Sequence, residues 1–229
     1  MRTIVILFLI TGVHSRILTL YNNCSTTIWP GIQGPGTPAN GGLTLTSKQS
    51  VNITVDDAWS GGRIWARTGC DSNYKCETGF CKNSEQCNGA AGTPPISLAE
   101  FSLKAWGGQD FYDVNLINGF NVVIKVIPSG GSGCVPAGGC LIDLNAECPD
   151  TLAVKGSSGS NVACKSGCLG FDTDQECCRG AYSSPDACRR TLTDKMFRDA
   201  CPTSYSYPYD SSSTTFSCQS TATYTIQFC

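Results

Sequence analysis

Sixteen cysteines, an even number, constrain this chain more than any other feature. They stand at Cys24, Cys70, Cys76, Cys81, Cys87, Cys134, Cys140, Cys148, Cys164, Cys168, Cys177, Cys178, Cys188, Cys201, Cys218 and Cys229, and the last is the final residue. Read as eight disulfides, they require an oxidising compartment. The N-terminus supplies a route to one. Arg2 is followed by the apolar run Ile4 to Ile10, and Val13-His14-Ser15 places small to medium side chains before a cleavage site. This pattern reads as a signal peptide over residues 1–15, with the mature chain secreted from Arg16. The apolar run is far short of the roughly 20 residues that a membrane span needs, and no later segment is long enough.

The rest of the composition excludes several function classes. The formal net charge is −2, and loss of Arg2 with the leader makes it −3. Nucleic acid calls for a basic footprint, so it is not an expected partner. The only histidine is His14, inside the expected leader. Ser-His-Asp and Cys-His catalysis are therefore excluded for the mature chain, as is a His-ligated zinc site. No two cysteines have the C-x-x-C spacing of a zinc ribbon. Neither a metal nor a cofactor is expected.

The 25 glycines and 11 prolines punctuate short runs rich in β-branched and aromatic residues, such as 17–21, 50–55 and 63–66. Short strands at regular turn spacing point to an all-β sandwich or barrel. Over 111–127, Tyr112, Val114 and Leu116 alternate, Asn118-Gly119 follows, and Phe120, Val122, Ile124 and Val126 alternate again. That pattern predicts a two-residue hairpin. After about Gly138 the chain becomes cysteine-dense and Gly/Ser-rich, as in a loop-rich lobe with short helices. Thr191 to Ala200 is the best helix, with Leu192, Met196 and Ala200 at helical spacing and Pro202 to stop it. The adjacent Cys177 and Cys178 should pair outward, because a bond between neighbours is strained.

The residues between the cysteines carry a further signal. Gly62-Arg63-Ile64-Trp65-Ala66-Arg67-Thr68-Gly69-Cys70 precedes Cys76-Glu77-Thr78-Gly79-Phe80-Cys81. Pro94-Pro95-Ile96-Ser97-Leu98-Ala99-Glu100-Phe101, Asp110-Phe111-Tyr112-Asp113-Val114 and Cys201-Pro202-Thr203-Ser204-Tyr205-Ser206-Tyr207 follow. Together with all the cysteines, these closely resemble the thaumatin-like family, which includes the pathogenesis-related class 5 proteins of plants. The resemblance covers essentially all of residues 16–229. It implies a mainly β fold: a flattened β-sandwich core at about 16–69, 95–138 and 202–229, a stapled excursion at about 70–94, and a disulfide-rich lobe at about 139–201. It also implies the pairing Cys24–Cys229, Cys70–Cys76, Cys81–Cys87, Cys134–Cys218, Cys140–Cys201, Cys148–Cys164, Cys168–Cys177 and Cys178–Cys188.

The resemblance further implies an acidic cleft between core and lobe, built from one arginine, one glutamate and three aspartates. By motif these positions are Arg63 (with Arg67 as the alternative), Glu100, Asp113, Asn118 and Asp210. Asn118 departs from the family's aspartate. Glycoside hydrolysis generally uses two carboxyl groups, so the change weakens the catalytic reading, in which Glu100 is the acid and Asp113 its partner. Phe80 and Thr203 also replace common aspartates. Apart from the family, alternation along the strand points Phe101 and Leu103 inward and Glu100 and Ser102 outward. The competing readings are a solvated Glu100, turn bonding by Asp113 and Asp210, and a bracing ion pair at Arg63. Trp29, Trp59, Trp65 and Trp106 could stack on sugars, though core burial is the commoner fate.

The sequons Asn52-Ile53-Thr54 and Asn23-Cys24-Ser25 fit N-glycosylation. Asn23 is disfavoured because the expected bond at Cys24 lies next to it. The expected function is that of a secreted, monomeric defence protein of antifungal type, binding β-1,3-glucan or related cell-wall carbohydrate. The alternatives are a weak endo-β-1,3-glucanase and a protein-directed inhibitor or membrane-active protein.

Overall fold

The computed structural model describes residues 15–210, 215–219 and 222–229. The expected leader lies outside the described residues up to position 14. The strands are β1 (Ser15–Asn22), β2 (Trp29–Gln33), β3 (Ser50–Asp56), β4 (Ser60–Arg67), β5 (Leu98–Ser102), β6 (Gln109–Asn115), β7 (Ile124–Ser129), β8 (Ala137–Gly138), β9 (Ala153–Lys155), β10 (Asn161–Cys164), β11 (Phe216–Gln219) and β12 (Thr223–Phe228). Three short helices are α1 (Leu144–Glu147), α2 (Gly167–Phe171) and α3 (Leu192–Ala200).

Two five-stranded sheets follow from the period-2 patterns. The first has the order β3-β1-β12-β7-β8 and the second β11-β6-β5-β4-β2. Leu18 and Leu20 on β1, Ile53 and Val55 on β3, and Ile226 and Phe228 on β12 are buried from the first sheet. Ile64, Ala99, Phe101, Tyr112 and Val114 meet them from the second in one continuous core. Phe101 stands edge-on to Tyr224 at 5.5 Å between ring centroids, and Tyr112 lies 5.1 Å from the same ring. These contacts tie sheet to sheet through aromatic packing.

β1 and β12 run parallel, with Asn22 opposite Phe228, so the first and last described strands end side by side. The Cys24–Cys229 bridge spans 205 residues of sequence at that point. Cys134–Cys218 and Cys140–Cys201 close two further long loops. The other five bridges are local: Cys70–Cys76, Cys81–Cys87, Cys148–Cys164, Cys168–Cys177 and Cys178–Cys188. Closing a long loop removes unfolded-state entropy worth roughly 3–5 kcal/mol in the chain-entropy model.

The expected hairpin over 111–127 does not form. Asn118-Gly119 does turn: Gly119 has φ +85°, and its N–H donates to the Leu116 carbonyl. However, β6 belongs to the second sheet and β7 to the first. Residues 120–123 carry the chain between them. Phe120 exchanges both backbone hydrogen bonds with Cys164 of the lobe. The buried Asn121 amide donates to Ala66 O and Thr78 Oγ1 and accepts from Ser97 N. Both apolar runs face the same core from opposite sides, which is why their alternation imitates a hairpin.

In the lobe, α3 begins at a capping box between Thr191 and Asp194. Its buried residues are Asp194, Phe197 and Ala200. The expected face is therefore rotated: Leu192 in the first turn is 87% exposed.

Candidate functional site

The candidate site lies on the outer face of the second sheet. β4, β5 and β6 are antiparallel and in register, with Arg63 opposite Glu100 and Glu100 opposite Asp113. Directly opposed residues share a face, with Cβ atoms about 4.5–5.5 Å apart. Ala99, Phe101, Tyr112 and Val114 fill the inner face, so Arg63, Glu100 and Asp113 form a row across the outer one.

That outer face is covered at one end and open at the other. At the covered end Trp65, Ile96 and Leu98 pack with Cys87 into a second, smaller core beneath the 70–94 excursion. Gly31 on β2 makes room for the indole: a Cβ there would stand 2.3 Å from the Trp65 ring. The open end is a concavity of about 410 Å³ lined by Gly61, Gly62, Arg63, Glu100, Phe101, Ser102, Phe111, Asp113 and Thr215. A recess of about 500 Å³ lies elsewhere, against Phe80, Pro94, Pro95 and Val154. Its acidic residue Glu77 is already engaged by the Ser157 N–H at 2.7 Å, so the paired carboxyls make the smaller concavity the better candidate.

Within the row the two carboxyl groups have opposite surroundings. Glu100 accepts from Arg63 Nε at 2.8 Å through Oε1 and from Asn115 Nδ2 at 2.8 Å through Oε2. Both oxygens serve as acceptors, as in an ionised carboxylate. Asp113 Oδ1 is buried with no hydrogen-bond partner among the described residues. Burial, reinforced by the neighbouring Glu100 charge, pushes the Asp113 pKa up to about 8. At neutral pH Asp113 therefore holds a proton beside a charged Glu100.

The other expected positions lie apart from this row. Arg67 is fully buried, not in the cleft, and donates to the carbonyls of Trp29, Ser84 and Glu85. It fastens the excursion to β2 and β4. Asn118 lines a separate cavity of about 90 Å³ with Glu176, Asp194 and Tyr207. Its own carbonyl accepts from Ile96 N at 2.9 Å, so it serves the turn. Asp210 is buried and saturated. One oxygen takes Arg190, with Arg198 at 3.8 Å, and the other takes Ser206 N and Oγ at 2.6 and 2.9 Å. Such a carboxylate braces the 205–210 turn and does not line the concavity. Trp59 and Trp65 are core, Trp29 is half-buried, and Trp106 is 85% exposed on the β5–β6 connection.

Sequence reasoning missed Asn115, which stands two residues beyond Asp113 on the same face and holds Glu100. Alternation alone could have found it. It also missed the pair beside Asn118. Thr191 Oγ1 lies 2.9 Å from Glu176 Oε2 and 3.0 Å from Asp194 Oδ2. One hydroxyl proton cannot serve both oxygens, and burial raises both carboxyl pKa values. No local sequence signal marks this pair, because the elements that carry it meet only in the folded lobe. Among the described residues no group of three or more His, Cys, Asp or Glu side chains is placed to hold a metal.

The fold and cysteine frame are those of a disulfide-stapled β-sandwich protein with a paired-carboxyl concavity. The Thaumatin family model matches residues 22–229, and the chain belongs to that family. It is 47% identical to pathogenesis-related protein 5 of Arabidopsis thaliana, over 98% of this chain and 95% of that one. It is 46% identical to thaumatin-like protein 1 of Pyrus pyrifolia, over 95% and 92%. A Prunus avium protein named glucan endo-1,3-beta-glucosidase is 41% identical over 95% and 92%. The solved thaumatin-like xylanase inhibitor aligns with a TM-score of 0.50 over 93% of this chain and 98% of its own, at 22% identity, and so attests the fold alone.

Proposed function

We propose that this is a secreted defence protein that binds β-1,3-glucan of cell walls in the concavity over Arg63, Glu100 and Asp113. The observation that carries this reading is the three-residue row itself. A protonated Asp113 offers a donor, Glu100 offers acceptor lone pairs, and Arg63 is a half-exposed cation beside them. Phe111 adds an apolar wall to the same concavity, suited to the face of a sugar ring. The relatives named for pathogenesis and for glucan cleavage support the substrate class. Extracellular placement is supported by eight disulfides in a chain with no free cysteine among the described residues.

Binding is favoured over turnover because Glu100 is engaged through both oxygens. To act as base or nucleophile it would have to release Arg63 or Asn115. One observation keeps weak hydrolysis as a second reading: a protonated and an ionised carboxyl line the same concavity, and glycoside hydrolysis uses such a pair. In that case Asp113, not Glu100, is the acid. No helix among the described residues is long and apolar enough to cross a membrane.

Retention on insoluble β-1,3-glucan tests the reading. The wild type should be retained and Glu100→Gln should be lost from the pellet. Equal recovery of both in the supernatant would overturn it. Release of reducing sugar by the wild type, abolished in Asp113→Asn, would establish the second reading.

A further inference from the structure

We infer that Asn52 carries an N-linked glycan in the secreted protein, and that Asn23, although it also heads a sequon, does not. The two sequons are alike in sequence and opposite in structure. Asn52 and Thr54 are both exposed, on the outward side of β3, while Ile53 between them is buried. β3 is an edge strand of the first sheet, paired only with β1. Asn52 Oδ1 accepts from Thr19 Oγ1 at 2.9 Å, and Asn52 Nδ2 has no hydrogen-bond partner among the described residues. The atom that receives the sugar therefore belongs to an exposed side chain and is not committed to a contact among the described residues.

At Asn23 the same atom is committed. Nδ2 donates to the Cys229 carbonyl at 2.7 Å, and Oδ1 accepts from Lys48 Nζ at 2.8 Å. The central sequon residue, Cys24, is bonded to Cys229. A glycan on Asn23 would crowd the Nδ2 hydrogen bond to the Cys229 carbonyl and the bridge that joins the two ends. Transfer to nascent chains comes before folding is complete, and the secreted protein keeps a glycan only where its fold accommodates one. Of the two, Asn52 is the one that can hold a glycan without crowding a native contact.

The chemistry is balanced by the donor of the secretory pathway, an oligosaccharide linked to a polyprenyl pyrophosphate. Asn52 Nδ2 forms a bond to the sugar C1, the C1–O bond to the pyrophosphate breaks, and Nδ2 gives up one of its two protons. The glycan would stand on the outer face of the first sheet. The concavity lies on the outer face of the second, so both sheets and the core between them, stacked about 10 Å apart, separate the two. The inference is independent of what the concavity binds.

The test is to express the full chain through a eukaryotic secretory pathway, alongside a control protein known to be glycosylated by that host. The secreted wild type should exceed its sequence mass by one N-glycan, and enzymatic release should convert Asn52 to aspartate. Asn52→Gln and Thr54→Ala should each abolish the added mass. Ser25→Ala destroys the other sequon without touching the Asn23 contacts, and it should leave the mass increment unchanged. An unmodified wild type beside a glycosylated control would overturn the inference, as would a glycan that Ser25→Ala removes.

Discussion

Asp110 and Asp113 lie on one strand, three residues apart, and face opposite sides of it. Asp110 points inward and is completely buried, yet it accepts from Arg16 Nη2 at 2.5 Å, Lys104 N at 2.9 Å and Tyr224 Oη at 2.8 Å. Asp113 points outward into the concavity, and one of its oxygens is buried with no partner among the described residues. The same side chain is thus a structural anion at one position and a trapped acid at the other. Asp110 is the more deeply buried of the two, yet it is the one suited to carry a charge. What separates them is whether donors converge on the carboxyl, since an ionised group taken from water is stable only if paired and hydrogen-bonded.

The largest expected effect comes from breaking the paired member. Asp110→Ala strands the Tyr224 hydroxyl and takes a buried carboxylate away from Arg16, which also meets Asp57. Removing one partner of a buried ion pair costs about 3–5 kcal/mol, readable as a fall in the midpoint of chemical denaturation.

The unpaired member should respond with the opposite sign. The Asp113 pKa is raised in the folded state, from 3.8 to about 8, so folding favours its protonated form. Its contribution is harmless below pH 4. It turns increasingly unfavourable as the pH climbs to 8 and is constant beyond. Asp113→Asn should therefore stabilise the protein at pH 7, by on the order of 2–4 kcal/mol. Denaturation at a series of pH values should show the variant's advantage shrinking to nothing near pH 4.

Glu100→Gln separates the two causes of the raised pKa. Burial is the larger and the Glu100 charge the smaller, so the substitution should lower the Asp113 pKa without returning it to 3.8. A full return would mean that the charge, not burial, dominates. The smallest stability effect belongs to Arg63→Ala. The Arg63–Glu100 pair is half-exposed on the arginine side, and such pairs contribute about 0–1 kcal/mol. Thermal unfolding should hardly change, while retention on β-1,3-glucan should be lost.

The positions of Glu100 and Asp113 were legible in the sequence, whereas the contrast between Asp110 and Asp113 was not. Alternation along β5 places Glu100 outward because Phe101 and Leu103 must face the core. It cannot choose between Arg63 and Arg67, which share one face of β4. The choice is made by the 70–94 excursion, which covers Arg67 and leaves Arg63 open, and that covering depends on contacts distant in sequence. The same reason defeats the hairpin at Asn118-Gly119. The turn chemistry is local and present, but the sheet each arm joins is decided by Asn121 reaching Ala66, Thr78 and Ser97. Asp210 resembles a cleft aspartate by motif, and only the fold brings Arg190 onto it.

One buried, unpaired oxygen leaves Asp113 protonated beside Glu100. Carboxyl-carbon NMR titration of Asp113 in the intact, disulfide-bonded protein reads that proton. The inflection should fall near pH 8 and move downward in Glu100→Gln. An Asp113 that titrates near 3.8 in the wild type would rule this out.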